Sequence, residues 1–181
     1  MKKMHKLWAI FAAAALTAAL AVPAQATAWE KGTNNVTTSS AVAEKNADKT
    51  LTAEEFSAEV LRLINEERAE KELEPFVSDA KLVKVAAVRA KESATKFAHE
   101  RPDGRSVSTA FQDEDITFIK AGENLGKGYK TPEELVKAWM DSKTHRANIL
   151  SEKFTAAELG FFTNSAGTIH TALMFLTPSE S

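Results

Sequence analysis

The sequence begins as an exported chain yet contains no cysteine, and that pairing limits the folds open to it. Lys2, Lys3, His5 and Lys6 make a positive start, an apolar run extends from Leu7 to about Val22, and Ala24-Gln25-Ala26 puts small residues where a signal peptidase reads. The run falls short of the roughly 20 residues that a bilayer span needs. Residues 1–26 therefore read as a signal peptide cleaved near Ala26, with a secreted or otherwise extracytoplasmic destination and no transmembrane segment in the mature chain. Small exported domains often depend on disulfides. This one must stand on side-chain burial alone, and the chain beyond Ala26 is long enough for one domain with a real core.

Losing Lys2, Lys3 and Lys6 leaves 20 basic against 25 acidic residues, a net charge of −5. Nucleic-acid binding relies on clustered Lys and Arg to neutralise phosphates, so no nucleic-acid partner is expected. Residues 27–52 are rich in Thr, Asn, Ser, Ala and Lys and read as a polar disordered spacer. The folded domain is expected over 53–177.

Within it, Thr52-Ala53-Glu54-Glu55 is a capping box. Phe56, Val60, Leu63, Ile64 and Glu67 recur at helical spacing, so a helix is expected to about Lys71. A second helix starts near Ser78 or Asp79, carries Leu82, Val85, Ala86, Ala90 and Phe97, and should end close to His99, before Pro102, Asp103 and Gly104. A short helix fits Ser106 to Phe111. Thr131-Pro132-Glu133-Glu134 opens another, with Pro at its first position and Trp139 on its apolar face; His145 is placed near its end. Two β-like runs close the chain, Glu158 to Thr163 and Thr168 to Leu176, joined by Asn164-Ser165-Ala166-Gly167, with a third strand near Thr117 to Ala121. The pattern is α+β: a small antiparallel sheet flanked by helices.

Chemistry has few carriers. Without cysteine there are no thiolates, and only His99, His145 and His170 remain beyond Ala26. Imidazole is both a common metal ligand and a near-neutral proton carrier. On spacing alone, His99 and His145 read equally well as cations at helix C-termini, and Glu123 as a loop carboxylate. There is no Gly-x-Ser-x-Gly elbow. Asp103 stands where H-E-x-x-H needs its second His, and Lys130-Thr131 lacks the glycine before Lys that a phosphate loop requires.

Seven stretches, in order, resemble the CAP superfamily, or SCP domain. They are Leu63-Ile64-Asn65-Glu66-Glu67-Arg68, Leu82-Val83-Lys84-Val85-Ala86, Phe97 through Ser106, Ala121-Gly122-Glu123-Asn124-Leu125, Ala138-Trp139-Met140-Asp141-Ser142, His145 through Leu150, and Glu158-Leu159-Gly160. Each is short; together, over about 56–176, they are similar to the bacterial, disulfide-free branch. The resemblance implies an α-β-α sandwich and a cleft that gathers His and Glu side chains able, in some members, to hold a divalent metal. His99 matches the first family His and Glu123 the Glu of Gly-Glu-Asn. Ser142 stands where the eukaryotic pattern has a second Glu, and His145 lies one helical turn further on. Ile169 falls at the last family His, so His170 is expected to point away from the cleft.

The implied cleft is thus His99, Glu123 and His145, supported by Asn124, Arg146 and Asn148. Two imidazoles and a carboxylate suit zinc or another divalent cation with one open position, or a polar cluster without metal. The reading leans to a non-enzymatic extracellular binding module whose partner is cell-envelope or cell-wall material or lipid. The alternatives are a metal-dependent hydrolase of peptide or cell-wall substrates and a purely structural surface domain. A lipid groove would draw on Phe118, Phe161, Phe162 and Phe175, which otherwise read as core.

Overall fold

The computed structural model describes residues 50–179. The expected signal peptide and nearly all of the expected spacer lie outside the described residues. The elements are α1 (Ala53–Ala69), α2 (Ala80–Thr95), α3 (Ser108–Gln112), β1 (Phe118–Lys127), α4 (Pro132–Asp141), α5 (Lys143–Ile149), β2 (Ala156–Thr163) and β3 (Ile169–Pro178). The strands pair antiparallel in the order β1-β3-β2.

Local chemistry explains the helix starts. The Thr52 hydroxyl accepts from the Glu55 N–H at 3.1 Å, and the Glu55 carboxylate accepts from the Thr52 N–H at 2.9 Å, the reciprocal pair of a capping box. Asp79 accepts from the N–H groups of Lys81 and Leu82, and Thr131 from that of Glu134. Each satisfies donors that a helix end would otherwise leave bare.

Successive strand residues face opposite sides, and β3 uses both. Leu173 and Phe175 pack on one face with Phe56, Val60 and Ile64 of α1, Leu135, Val136 and Trp139 of α4 and Ile149 of α5. Ala172, Met174 and Leu176 pack on the other with Leu82, Val85, Ala86 and Ala90 of α2 and Phe111 of α3. Residues 172–176 of the central strand are therefore an unbroken apolar run buried from both sides, and the described domain has three layers, α-β-α.

Several boundaries differ from the sequence reading. The apolar stripe of α1 ends on Arg68, one residue beyond Glu67, because Phe56, Val60, Ile64 and Arg68 repeat every four residues. Helix α2 stops at Thr95, short of His99. Lys96 turns extended and ends the helix, and the Ala98 carbonyl beyond it accepts from Arg89. Strand β1 runs six residues past Ala121, through two glycines that look like breaks. Both are needed for close approach. A Cβ on Gly122 would lie 2.8 Å from the Phe154 ring, and one on Gly126 2.5 Å from Leu135 and 2.4 Å from the Thr171 hydroxyl. The helix expected to reach His145 is two helices, because Ser142 is extended and starts a new one.

The four phenylalanines offered as a lipid groove divide between the cores. Phe175 is fully buried on the α1 face with Phe161 packed beside it, while Phe118 and Phe162 lie against the α2 face. Side chains on opposite faces of one sheet cannot line one groove.

Helix α2 sits close to the sheet. A Cβ on Gly160 would lie 1.9 Å from the Ala86 carbonyl oxygen, a backbone atom with no freedom to move aside. Gly160→Ala must push α2 off β2, and the expected loss is about 3 kcal/mol, measured by urea denaturation. A loss below about 1 kcal/mol would show that the contact is looser than this geometry.

Candidate functional site

One row of residues across the sheet organises the site. Glu123 of β1 lies opposite Met174 of β3, which lies opposite Glu158 of β2. All three face α2, so two carboxylates enter a largely apolar layer, and buried charges require partners. The helix supplies both. At its start, the Ser78 hydroxyl and the Asp79 N–H donate to Glu158. Nearly three turns further on, Arg89 donates to Glu123.

Arg89 is wholly buried, and so in effect is the Glu123 side chain, at 1% exposure. The Arg89 Nε donates to Glu123 Oε2 at 2.7 Å, and Nη2 to Oε1 at 3.3 Å, a two-pronged pairing that only a planar guanidinium can make. Nη2 also holds the Ala98 carbonyl at 3.0 Å, and Nη1 the Glu92 carboxylate at 2.6 Å. Glu92 in turn accepts from Arg101, which bonds Asp113 and Thr109, and Asp113 also meets Arg105. Although burial opposes ionisation of Glu92, Arg101 and Arg89 hold its carboxyl below the usual carboxylate range. Alternating charges thus run from the sheet, through α2 and the segment after it, to α3.

His99 lies at the end of this chain. The carbonyl just before it is fixed by Arg89, and its Nδ1 lies 2.7 Å from Glu123 Oε1. The imidazole itself is 65% exposed. Glu123 therefore belongs to the middle of a strand, not to a loop, and His99 to the segment beyond α2.

His145 is half-buried on α5. Burial, and then the charge of the His99 imidazole, hold it below the usual imidazole value. Asn124 points to the opposite sheet face from Glu123. There its Nδ2 donates to the His145 carbonyl at 3.0 Å, and its Oδ1 accepts from Asn148 Nδ2 at 2.9 Å. The two asparagines tie α5 to β1 and so set where His145 sits. Arg146 is not brought into this arrangement: its Nη1 donates to the Met140 carbonyl at 2.6 Å, closing the end of α4.

His170 stays out of the cleft as expected, but on the other face of the strand from the one expected. It faces the same side of the sheet as Met174, and hence as Glu123. It nevertheless stays out of the cleft, because it lies further along β3 beneath the end of α2, near Ser93, Phe97 and Asn164.

The zinc set expected from sequence meets an obstacle at Glu123. A carboxylate offers about four acceptor positions. Arg89 and His99 occupy three of them, and burial closes off the fourth. Among the described residues, no group of three or more His, Asp or Glu side chains is arranged to hold a metal ion.

Arg89, Glu92 and Arg101 were missed by motif reasoning. A signal was present: Leu82, Val85, Ala86, Arg89, Ala90 and Ser93 form one helical face, and a lone Arg on an apolar face announces a buried partner.

The model of the cysteine-rich secretory protein (CAP) family matches residues 61–171, more than half of the chain. An uncharacterized protein of Bacillus subtilis, YkwD, is 36% identical over 148 residues, covering 78% of this chain and 58% of that protein. This chain thus spans a little over half the length of that relative. The structure resembles an extracellular SCP-domain protein from Bacillus anthracis, with a TM-score of 0.61 and 22% identity, covering 71% of this chain and 45% of that one. It also resembles an outer surface protein from Borrelia burgdorferi, with a TM-score of 0.63 and 18% identity, covering 71% and 97%. At these identities the structural likeness speaks for the fold.

Two outcomes are expected from the site's electrostatics. Arg89→Met leaves Glu123 buried without its cation, and breaking such a pair costs about 3–5 kcal/mol. Arg89→Met/Glu123→Gln removes the stranded charge and should be more stable than the single variant in urea denaturation. The second concerns pH. Burial, and then Lys127, hold His170 below the usual imidazole value, while its contact with Ser93 acts in the opposite sense; His145 is lowered too. A lowered folded value means that the unfolded chain binds more protons, so stability is complete above about 6.5 and is lost as pH falls from there towards the folded values. The melting temperature should drop between pH 7 and pH 5, and less so in His170→Gln. An identical drop in the variant would clear His170 of the effect.

Proposed function

This chain belongs to the cysteine-rich secretory protein family, and from that premise we propose that it is an exported binding module that presents His99 and His145 to a ligand in the cell envelope. The observation that carries this reading is the asymmetry of His99. One ring nitrogen is anchored on a buried carboxylate, and the rest of the ring is open to solvent. The groups that orient it are themselves locked, so little ordering is needed when a ligand arrives. Imidazole nitrogens that donate and accept suit hydroxyl, amide and carboxylate groups, which cell-wall polymers carry in quantity.

Export is supported by the leader pattern of residues 1–26 and by relatives described as extracellular or outer-surface proteins. No helix among the described residues is long and apolar enough to cross a membrane. A hydrolase would need an activated water or nucleophile. The Glu123–His99 pair has the form of an oriented base, but no Ser or Thr hydroxyl bonds His99 among the described residues. The carboxylate that would complete a zinc site is committed elsewhere, so no reaction step is assigned.

The test is retention of the purified protein on insoluble bacterial envelope material. The native chain should be retained, and His99→Ala/His145→Ala should lose at least tenfold in retention while keeping its melting temperature within a few degrees. Equal retention of the two proteins would place the binding surface elsewhere.

A further inference from the structure

The resemblance to metal-holding relatives predicts a divalent ion on Glu123, and the residues around that carboxylate oppose it. We propose that Arg89 is a resident cation standing where such an ion would act, so that Glu123 and His99 are held in place with no metal bound to the carboxylate. The proposal concerns the electrostatics of the cleft and holds whichever ligand the cleft takes.

Three observations converge. First, the pairing is complete: the guanidinium meets both oxygens of Glu123, at 2.7 and 3.3 Å, and His99 takes a further position on Oε1 at 2.7 Å. A divalent ion would have to displace one of these donors or settle beside a fixed positive charge a few ångströms away, and like charges at that range in a buried setting repel strongly. Second, Arg89 cannot swing aside. It is wholly buried on the sheet-facing side of α2, and its remaining N–H groups hold Glu92 and the Ala98 carbonyl. Third, Arg89 does for the site what a metal does elsewhere: it neutralises the buried carboxylate and, through Ala98, fixes the backbone that carries His99. The cation is built into α2 and does not depend on supply from outside the cell.

Zinc is the probe. The native protein, titrated with zinc chloride and followed by calorimetry and thermal shift, should match His99→Ala/His145→Ala, with no stoichiometric uptake at tens of micromolar. Arg89→Met removes the cation and frees the carboxylate. It should gain zinc affinity at least tenfold, seen also as a zinc-dependent rise in melting temperature, and Arg89→Met/Glu123→Gln should lose that gain. Arg89→Gln keeps a hydrogen-bond donor but no charge, and it serves in the same way if the methionine variant does not fold. One tight zinc per native chain, abolished by His99→Ala, would overturn the proposal. So would a folded Arg89 variant with no gain in affinity. The native titration decides the matter even if neither variant folds. None of these readings depends on envelope binding, so failure here and failure of the binding-module reading are separate results.

Discussion

The guanidinium of Arg89 is the interaction on which the rest of the site depends. A strand that carries Glu123 on its α2-facing side cannot be buried unless a cation meets it, because an isolated carboxylate in an apolar layer would cost many kcal/mol. Arg89 meets it from the facing helix, and the geometry of that meeting fixes three things at once. It sets the position of α2 over β1, the path of the chain as it leaves α2, and the orientation of His99. A buried ion pair of this kind contributes little net stability compared with a well-packed apolar pair. Its contribution is specificity: helix α2 cannot slide along the sheet without leaving a charge unmatched.

The same row explains how three strands suffice. Met174 sits between Glu123 and Glu158, and α2 satisfies one carboxylate from its start and the other from Arg89 further along. The helix is pinned to both outer strands, while the apolar side chains of β3 fill the space between. On the other face the Trp139 indole N–H donates to the Leu125 carbonyl at 3.0 Å, which ties α4 to the same outer strand. These ties help a chain without cysteine to hold three layers together. The two apolar cores provide the bulk of the burial, and the polar contacts fix register.

The sequence made the type of most elements legible, because capping residues and apolar periodicity are local signals. Thr52 with Glu55 and Thr131 with Pro132 mark helix starts without any tertiary information. The two terminal strands were legible for the same reason, with Asn164 and Gly167 between them; the Asn164 side chain accepts from the N–H groups of Ala166 and Thr168. What failed was set by distant contacts. The glycines of β1 look like breaks until Phe154, Leu135 and Thr171 are known to press on them. The break at Ser142 has no strong composition signal. The face of His170 was misjudged because placing Ile169 at the last family His assigned the cleft to the wrong face of β3.

The site was legible in its members and not in its wiring. His99, Glu123 and His145 stand in motifs, and of the two histidines it is His99 that meets Glu123 directly. A motif is a stretch of neighbours in sequence, whereas the partner of Glu123 lies 34 residues away on another element. Nothing within Gly122-Glu123-Asn124 tells whether that carboxylate faces solvent, a metal or a guanidinium. The facing helix decides, and there the informative residue is an arginine at a position where the helical pattern calls for an apolar side chain. The same logic applies to Arg68, which closes the apolar stripe of α1, bonds the carbonyls of Glu74, Ile149 and Ser151 and lies over the Phe76 ring. In this fold, a basic residue on a core-facing stripe marks where one element is fastened to another. Resemblance between chains can therefore carry the architecture across while the chemistry of the cleft turns on one residue outside the matching motifs.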